Sequence, residues 1–124
     1  IDPHGRSHPM VSLFPFTTRM FPRLRALGYR EVTLTADVLI GPQGARIRGH
    51  EFHYSEIVDS QAASAPETCY RISARDGGGT RPEGYRHRCC LGSYVHLHFG
   101  SNPEAARCLV ADCRQYHLER NPSA

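Results

Sequence analysis

The chain has 124 residues, which limits it to one ordinary domain or a piece of one. Forty per cent of the residues are apolar and 22% are charged, a globular composition, and no apolar stretch is long enough to cross a membrane. The net charge of +3 comes from scattered arginines and not from a basic stripe with interleaved aromatic residues, so nucleic acid is not an expected partner.

The cysteines and the first ten residues indicate the compartment. There are five cysteines, an odd number, and no C-x-x-C pair occurs among them. A secreted disulfide framework normally uses an even number of cysteines. The first ten residues also lack the basic and apolar regions of a secretory signal. We therefore expect a soluble, cytoplasmic protein with reduced thiols.

The first third of the chain contains two short predicted elements. Residues 10–16 form an apolar run of β character, with Pro15 at its exit. Residues 20–27 carry apolar side chains at helical spacing and are followed by Gly28, which predicts a short helix with a glycine C-cap.

A hairpin is predicted next. Residues 29–40 alternate between apolar and polar side chains, residues 41–44 read "GPQG", and residues 45–58 return as a second strand region. After a loop over residues 59–66, a further strand is predicted at 68–74.

The Gly-rich stretch at residues 75–84 is predicted to be a turn. It does not precede a helix, so its glycines are a poor candidate for a phosphate cradle. Residues 85–99 then form a strand region in two parts, with Gly92 between them.

The last predicted element is a helix to about Leu118. Ser101 and Glu104 match a capping box, and Pro103 suits the first turn. The helix has one apolar stripe, formed by Ala106, Leu109, Val110, Cys113 and Tyr116. Strands followed by one terminal helix predict an α/β layer structure.

Polar rings alternate with apolar residues in the sequence "GSYVHLHFGSNP". Because strand side chains alternate between faces, Tyr94, His96 and His98 are expected on one face, opposite the face of Val95 and Leu97. The simplest interpretation is a partly exposed face whose rings meet water.

A second set of polar residues lies in "RGHEFHYSE". Glu51, His53 and Ser55 should share one face of a strand, with His50 on the other. A carboxylate beside an imidazole can orient it and tune its basicity. The alternative is an ordinary Glu–His surface pair, which contributes little.

Two kinds of chemistry use histidine, cysteine and glutamate side chains of this kind. In thiol catalysis a cysteine attacks an acyl carbon and a histidine accepts its proton. In metal binding the possible ligands would be His50, His53, His87, Cys89, Cys90, His96 and His98. The vicinal cysteines would point to opposite faces of a strand, which favours buried thiols for that pair.

These motifs resemble a known family. "RGHEFHYSEI", "GYRHRCCLGSYVHLHFGSNPEAA" and the preceding "PFTTRMFPRLRALGYREVTLTADVLIGPQG" are similar to the C-terminal part of the cobyrinic acid a,c-diamide synthase family of cobalamin-pathway glutamine amidotransferases. The resemblance implies an α/β fold: the C-terminal half of a flavodoxin-like class I glutamine amidotransferase domain, with several strands and a terminal helix.

The resemblance also implies roles for particular residues. The family's motif reads Gly92-Ser93-Tyr94-Val95-His96 here, which makes His96 the catalytic base. His98, Glu51 and His53 are then expected to contribute to the glutamine site. The family's nucleophile turn, of the form G-x-C-G-G, is absent.

Residues 1–124 are therefore expected to be a partial glutaminase domain, without the nucleophile half and without the ATP-binding synthetase domain. We expect no cofactor in this chain. For the full-length parent the resemblance implies glutamine and cobyrinic acid as substrates, with ATP and Mg²⁺. A half-domain could form a homo-oligomer or associate with its missing half. A non-catalytic binding or assembly module and a small His/Cys metal-binding domain are the alternatives.

Overall fold

The computed structural model describes residues 1–59, 67–74 and 78–121. Over these ranges the chain forms eight strands, one 3₁₀ turn and one helix. They are β1 (Thr17–Met20), β2 (Ala26–Leu34), β3 (Arg46–His53), β4 (Ser55–Asp59), β5 (Glu67–Ala74), β6 (Thr80–His87), β7 (Cys90–Gly92), β8 (Val95–Leu97), the 3₁₀ turn Phe99–Ser101 and α1 (Pro103–Arg120). No helix within the described ranges has the length and apolar character needed to span a membrane.

Six of the strands form one sheet, in the order β7-β6-β5-β2-β3-β8, while β1 pairs with β4 in a separate ribbon. Strands β7 and β8 lie at opposite ends of this order, yet only Ser93 and Tyr94 separate them in the chain. The sheet must therefore curl until its two edges approach each other.

The predicted α/β class, with several strands and a terminal helix, is confirmed. Every pairing between the described strands is antiparallel, whereas a flavodoxin-like core is built on parallel strands. The described residues thus form a curled antiparallel sheet with one C-terminal helix.

The predicted hairpin is present as β2 and β3, paired from Ala26 opposite His53 to Thr33 opposite Arg46. Strand β2 ends at Leu34, however, and not at residue 40. The Asp37 side chain accepts a hydrogen bond from the Gln43 backbone N–H (2.8 Å), which closes a wide turn in place of further strand.

The core lies at the centre of the sheet. Val32 is paired with Ile47 on one side and with Ile72 on the other, and all three are buried. Leu34 and Tyr70 extend this layer. Burying a large apolar side chain contributes about 1.5–3 kcal/mol, so this layer holds the strands in register.

Residues 10–16 do not form the predicted strand. Pro15 has no N–H to donate to a ladder, and the run packs through its aromatic rings. Phe14 and Phe16 stack on each other with their centroids 5.5 Å apart, and Phe16 contacts Tyr85 at 5.1 Å. Ring packing on β6 and β7 has replaced backbone pairing.

The helix predicted over residues 20–27 is also wrong. Pro22 interrupts it, and the backbone donors of Phe21 and Arg25 bond to the carbonyls of Tyr54 and His53, at 2.7 and 3.0 Å. Gly28 is consequently a residue of β2 and not a C-cap.

The middle of the chain agrees in part with the prediction. Strand β5 covers the predicted 68–74 segment, but β6 begins at Thr80, inside the predicted turn 75–84. The loop predicted at 59–66 lies outside the described residues, apart from the end of β4, and so do residues 75–77. The predicted region 85–99 is divided at two places, after His87 and after Gly92.

The terminal helix is confirmed, but its cap and its apolar stripe differ from the prediction. Asn102 is the N-cap, and its side chain accepts from the Glu104 N–H (3.1 Å), so the Ser101 capping box is wrong. Ala105 is buried, whereas Val110 and Tyr116 are 51% and 54% exposed. Among the described residues, the contacts of α1 with the core come from its first turns, through Ala105 and Leu109.

Candidate functional site

Glu51 is at the centre of a charged network on the inner face of the sheet. Its side chain is 0% exposed, and its two oxygens accept hydrogen bonds from Arg30 Nε (2.6 Å) and Arg81 Nη2 (2.5 Å). Burial by itself would raise the pKa of Glu51, but these two guanidinium groups outweigh it and lower the pKa below its ordinary value of 4.5. Glu51 is therefore an ionised carboxylate at neutral pH.

Gly28 makes this arrangement possible. It lies directly opposite Glu51 in the β2–β3 pairing and has a φ of +138°. A Cβ at this position would lie 3.1 Å from Arg30 Nη1. Glycine thus provides both the unusual backbone angle and the space that the Arg30 guanidinium needs to reach Glu51.

His53 extends the network. Its Nδ1 lies 2.8 Å from the Ser55 carbonyl oxygen, which can only accept, so Nδ1 is the donor. Nε2 lies 3.6 Å from Glu51 Oε1 and is buried with no hydrogen-bond partner among the residues that the structure describes. The ring stacks on Tyr94 at 4.0 Å, and the Tyr94 hydroxyl bonds to Ser55 Oγ at 3.0 Å. Glu51 and His53 are thus neighbours on one face, as the alternation predicted, although no hydrogen bond joins them.

A cavity of about 540 Å³ opens at this end of the sheet. Arg30, Arg81 and His53 line it together with the ion pair of Arg25 and Glu56, whose nearest atoms are 2.8 Å apart. Glu51 also borders the cavity, but because its side chain is fully buried, its arginine partners are the more accessible charged groups there.

Glu83 is a second buried carboxylate, which the sequence reasoning missed. It is 1% exposed and accepts from Ser93 Oγ (2.6 Å) and from the Tyr94 N–H (2.8 Å). Burial raises the pKa of Glu83, and these two hydrogen bonds offset part of that effect. No pattern in "TRPEGY" distinguishes this glutamate from an exposed one, because its surroundings come from residues ten positions away.

His96 lies on the opposite face of the sheet from Glu51. It is exposed on the edge strand β8 and pairs with His50 of β3, with the ring centroids 4.8 Å apart. Glu51 pairs with Val95, which is buried. The structure therefore brings Glu51 and His53 together, and His50 and His96 together, on opposite faces.

His98 follows β8 and leads into the 3₁₀ turn. Its backbone N–H donates to the Arg48 carbonyl (2.8 Å), its own carbonyl accepts from Ser101 Oγ (2.6 Å), and its ring is exposed. A Cβ on Gly100 would lie 2.7 Å from His98 Cε1, so glycine leaves room for the ring.

Comparison with known proteins identifies the family. The family model of the CobB/CobQ-like glutamine amidotransferase domain matches residues 1–104. The chain belongs to this family. No solved structure matches it.

Curated relatives of this amidotransferase chain carry consistent names. A cobyrinate a,c-diamide synthase of Syntrophotalea carbinolica is 43% identical over 110 residues, covering 89% of this chain and 24% of the relative. One from Leptospira interrogans is 37% identical over 88% of this chain and 24% of the relative. A hydrogenobyrinate a,c-diamide synthase of Streptomyces coelicolor is 37% identical, covering 86% of this chain and 20% of the relative. The chain spans about a quarter of the length of these relatives.

The positions of the thiols are important for an amidotransferase. Cys69 is buried, its Sγ donates to the Gly84 carbonyl, and burial raises its pKa. Cys89 and Cys90 are exposed around the start of β7, which corrects their prediction as buried thiols, and the remaining two lie on α1. The strand-to-helix connection of residues 98–102 contains no cysteine.

The predicted metal ligands do not gather at one place. Across the parts of the chain that are described, no three histidine, cysteine or acidic side chains are arranged to hold a metal ion. His50 and His96 are neighbours, but His53 points into the inner network.

Proposed function

We propose that this chain is the base-bearing part of the glutaminase of a cobyrinate a,c-diamide synthase, and that His96 is its general base. Family membership and the names of the relatives support the enzyme class. The observation that carries the residue assignment is the exposure of the His96 ring on an edge strand, at the end of the matching motif.

In the proposed reaction a thiolate from another segment attacks the side-chain carbonyl carbon of glutamine. His96 takes the proton from the thiol and gives it to the departing ammonia. Water then cleaves the thioester to yield glutamate. The ammonia goes on to form the amides of the a and c side chains of cobyrinic acid, which the synthetase part of the enzyme activates.

The surface beside His96 suits the docking of the thiol-bearing segment. Leu27, Tyr29 and Phe52 lie in the cross-strand rows next to His50 and His96. Tyr29 is 69% and Phe52 is 51% exposed. An exposed apolar surface around a polar group is typical of an interface. A segment that covers this face would bring its thiol to the imidazole and exclude water from it.

The roles predicted for the remaining site residues stay proposals. Glu51 and its partners Arg30 and Arg81 lie on the face opposite His96, so Glu51 supports the glutamine site by holding β2, β3 and β6 together and not by contacting glutamine beside His96. His53 is held beside them by Tyr94. His98 contributes from the loop that follows His96.

ATP and Mg²⁺ belong to the synthetase part of the proposed enzyme. Gly78 and Gly79 lead into strand β6 and not into a helix, so they do not fit a phosphate cradle. We place the protein in the cytoplasm, where its five free thiols stay reduced.

A chimera tests the proposal. Residues 1–124 would replace the matched quarter of the Syntrophotalea carbinolica relative, and glutamine hydrolysis and amidation of cobyrinic acid would be measured. We expect an active chimera in which His96→Ala lowers glutaminase kcat about 10²–10⁴-fold, the usual contribution of a general base.

His87→Ala is the matched control, because this exposed histidine lies at the end of β6. Its activity should equal that of the unsubstituted chimera. An active chimera that is insensitive to His96→Ala would refute the assignment and favour a non-catalytic assembly role for this part.

A further inference from the structure

Strand β8 carries His96, but few backbone hydrogen bonds of the sheet hold this strand in place. It has three residues, lies at the edge of the sheet and, among the described strands, pairs with β3 alone, at three positions. Short edge strands of this kind fray readily. The orientation of His96 therefore needs a constraint from outside the strand.

Glu83 supplies that constraint from across the curled sheet. It lies on β6, and its carboxylate holds the Ser93 hydroxyl with one oxygen and the Tyr94 N–H with the other. The Ser93 hydroxyl oxygen in turn accepts from the Val95 N–H at 2.9 Å. The three residues that lead into His96 are thus tied, directly or through Ser93, to one buried carboxylate.

Two further contacts also restrain β8. The Tyr94 ring stacks on His53 and its hydroxyl reaches Ser55 Oγ, so the corner is held at its side chain as well as at its backbone. At the other end, a Cβ on Gly49 would overlap the carbonyl of His96, so β8 lies unusually close to β3. A one-residue slip would turn His96 to the inner face.

We propose that Glu83 is a positioning residue for His96, locking the corner between β7 and β8 so that the imidazole faces outward. This rests on the proposed function, since it assumes that His96 is the base. Glu83 itself touches no reacting atom. A buried carboxylate is unfavourable unless its acceptors are used, and both side-chain hydrogen bonds of Glu83 within the described residues go to the corner that precedes His96.

The first test uses the 124-residue chain and needs no activity. Glu83→Ala should speed hydrogen exchange at the Tyr94 and Val95 amides and shift the His96 ring resonances in NMR spectra, while Val32 in the central strand keeps its protection. Unchanged exchange at both amides would overturn the proposal. Glu67→Ala is the control, because this exposed carboxylate at the start of β5 pairs with Arg86 and not with the corner between β7 and β8.

The second test uses the chimera. Glu83→Ala should lower glutaminase kcat by about 10²-fold with KM little changed, the usual effect of misplacing a catalytic group. Glu83→Gln should recover most of the rate, because its amide can accept from the Tyr94 N–H and donate to Ser93 Oγ. Loss of activity in Glu83→Ala without rescue by Glu83→Gln, or no loss at all, would contradict the positioning role.

The two proposals fail differently. If His96→Ala leaves the chimera active, the assignment of the base is wrong whatever Glu83 does. If His96→Ala abolishes activity and Glu83→Ala does not, His96 is the base and the Glu83 inference alone is overturned.

Discussion

Two glutamates of this chain are equally buried and differ in their partners. Glu51 faces two guanidinium groups and has a lowered pKa, while Glu83 faces a hydroxyl and an amide and has a raised one. The difference follows from charge: a guanidinium favours the ionised carboxylate far more than a neutral donor does. Each carboxylate therefore contributes oppositely to the dependence of stability on pH.

Glu51 is expected to make stability sensitive to acid. Because its pKa is lower in the folded than in the unfolded chain, its contribution is complete above its ordinary value of 4.5 and is lost as the pH falls through the folded pKa. At neutral pH, Glu51→Gln should lower the unfolding free energy by about 3 kcal/mol, the lower end for a broken buried ion pair, since Arg81 is half-exposed.

Urea unfolding between neutral pH and pH 3 would measure both effects. The wild type should lose stability on acidification, and Glu51→Gln should lose less of it. Glu104→Gln, which changes an exposed carboxylate on α1, is the control and should follow the wild-type curve. Parallel curves for wild type and Glu51→Gln would contradict the prediction.

At the scale of elements, the start of α1 shows that the residue which caps a helix can be the neighbour of the one that the sequence favours. Ser101 and Asn102 are both good N-cap residues, and the Ser101–Glu104 spacing favoured serine. In the structure Ser101 Oγ accepts from the Arg48 N–H (2.9 Å) and so joins the helix entrance to β3. Asn102 is left to cap α1.

Asn102→Ala is expected to weaken the helix. Loss of an N-cap lowers stability by about 1 kcal/mol, and far-UV circular dichroism should show reduced helix content and earlier thermal unfolding. Ser101→Ala should keep its helix content, because its hydroxyl serves the contact with β3. The reverse pattern would restore the capping box inferred from the sequence.

At the scale of the whole molecule, two apolar surfaces are exposed in the part of the chain that the structure describes. One is the face around Tyr29 and Phe52; the other is the outer half of α1 with Val110 and Leu118. The curl of the sheet buries its inner face, but these two surfaces face outward and stay exposed. A chain with such surfaces is expected to associate.

Light scattering over a range of concentrations should detect this association. The double variant Tyr29→Ser with Phe52→Ser is expected to shift the chain toward monomer if the sheet face is the interface. Val110→Ser is the comparison for the helix surface. A wild-type chain that stays monomeric at high concentration would count against the prediction.

Sequence patterns predicted those features that depend on near neighbours. The hairpin of β2 and β3, strand β5 and helix α1 all follow from local alternation, turn residues or helical spacing. The alternation in "GHEFHYS" also placed Glu51 and His53 on one face, and the structure confirms this. Family membership, likewise inferred from motifs, is confirmed by the comparisons.

Only the tertiary structure decided which of these faces point inward and what meets there. Residues 10–16 pack through their aromatic rings, because Phe16 contacts Tyr85 of β6 and Phe14 lies against Gly92 of β7. Glu83 became a buried anchor because the curl of the sheet carries residues 93–94 across to it. Contacts between opposite edges of a sheet depend on its curvature, and curvature is a property of all the strands together that no local pattern encodes.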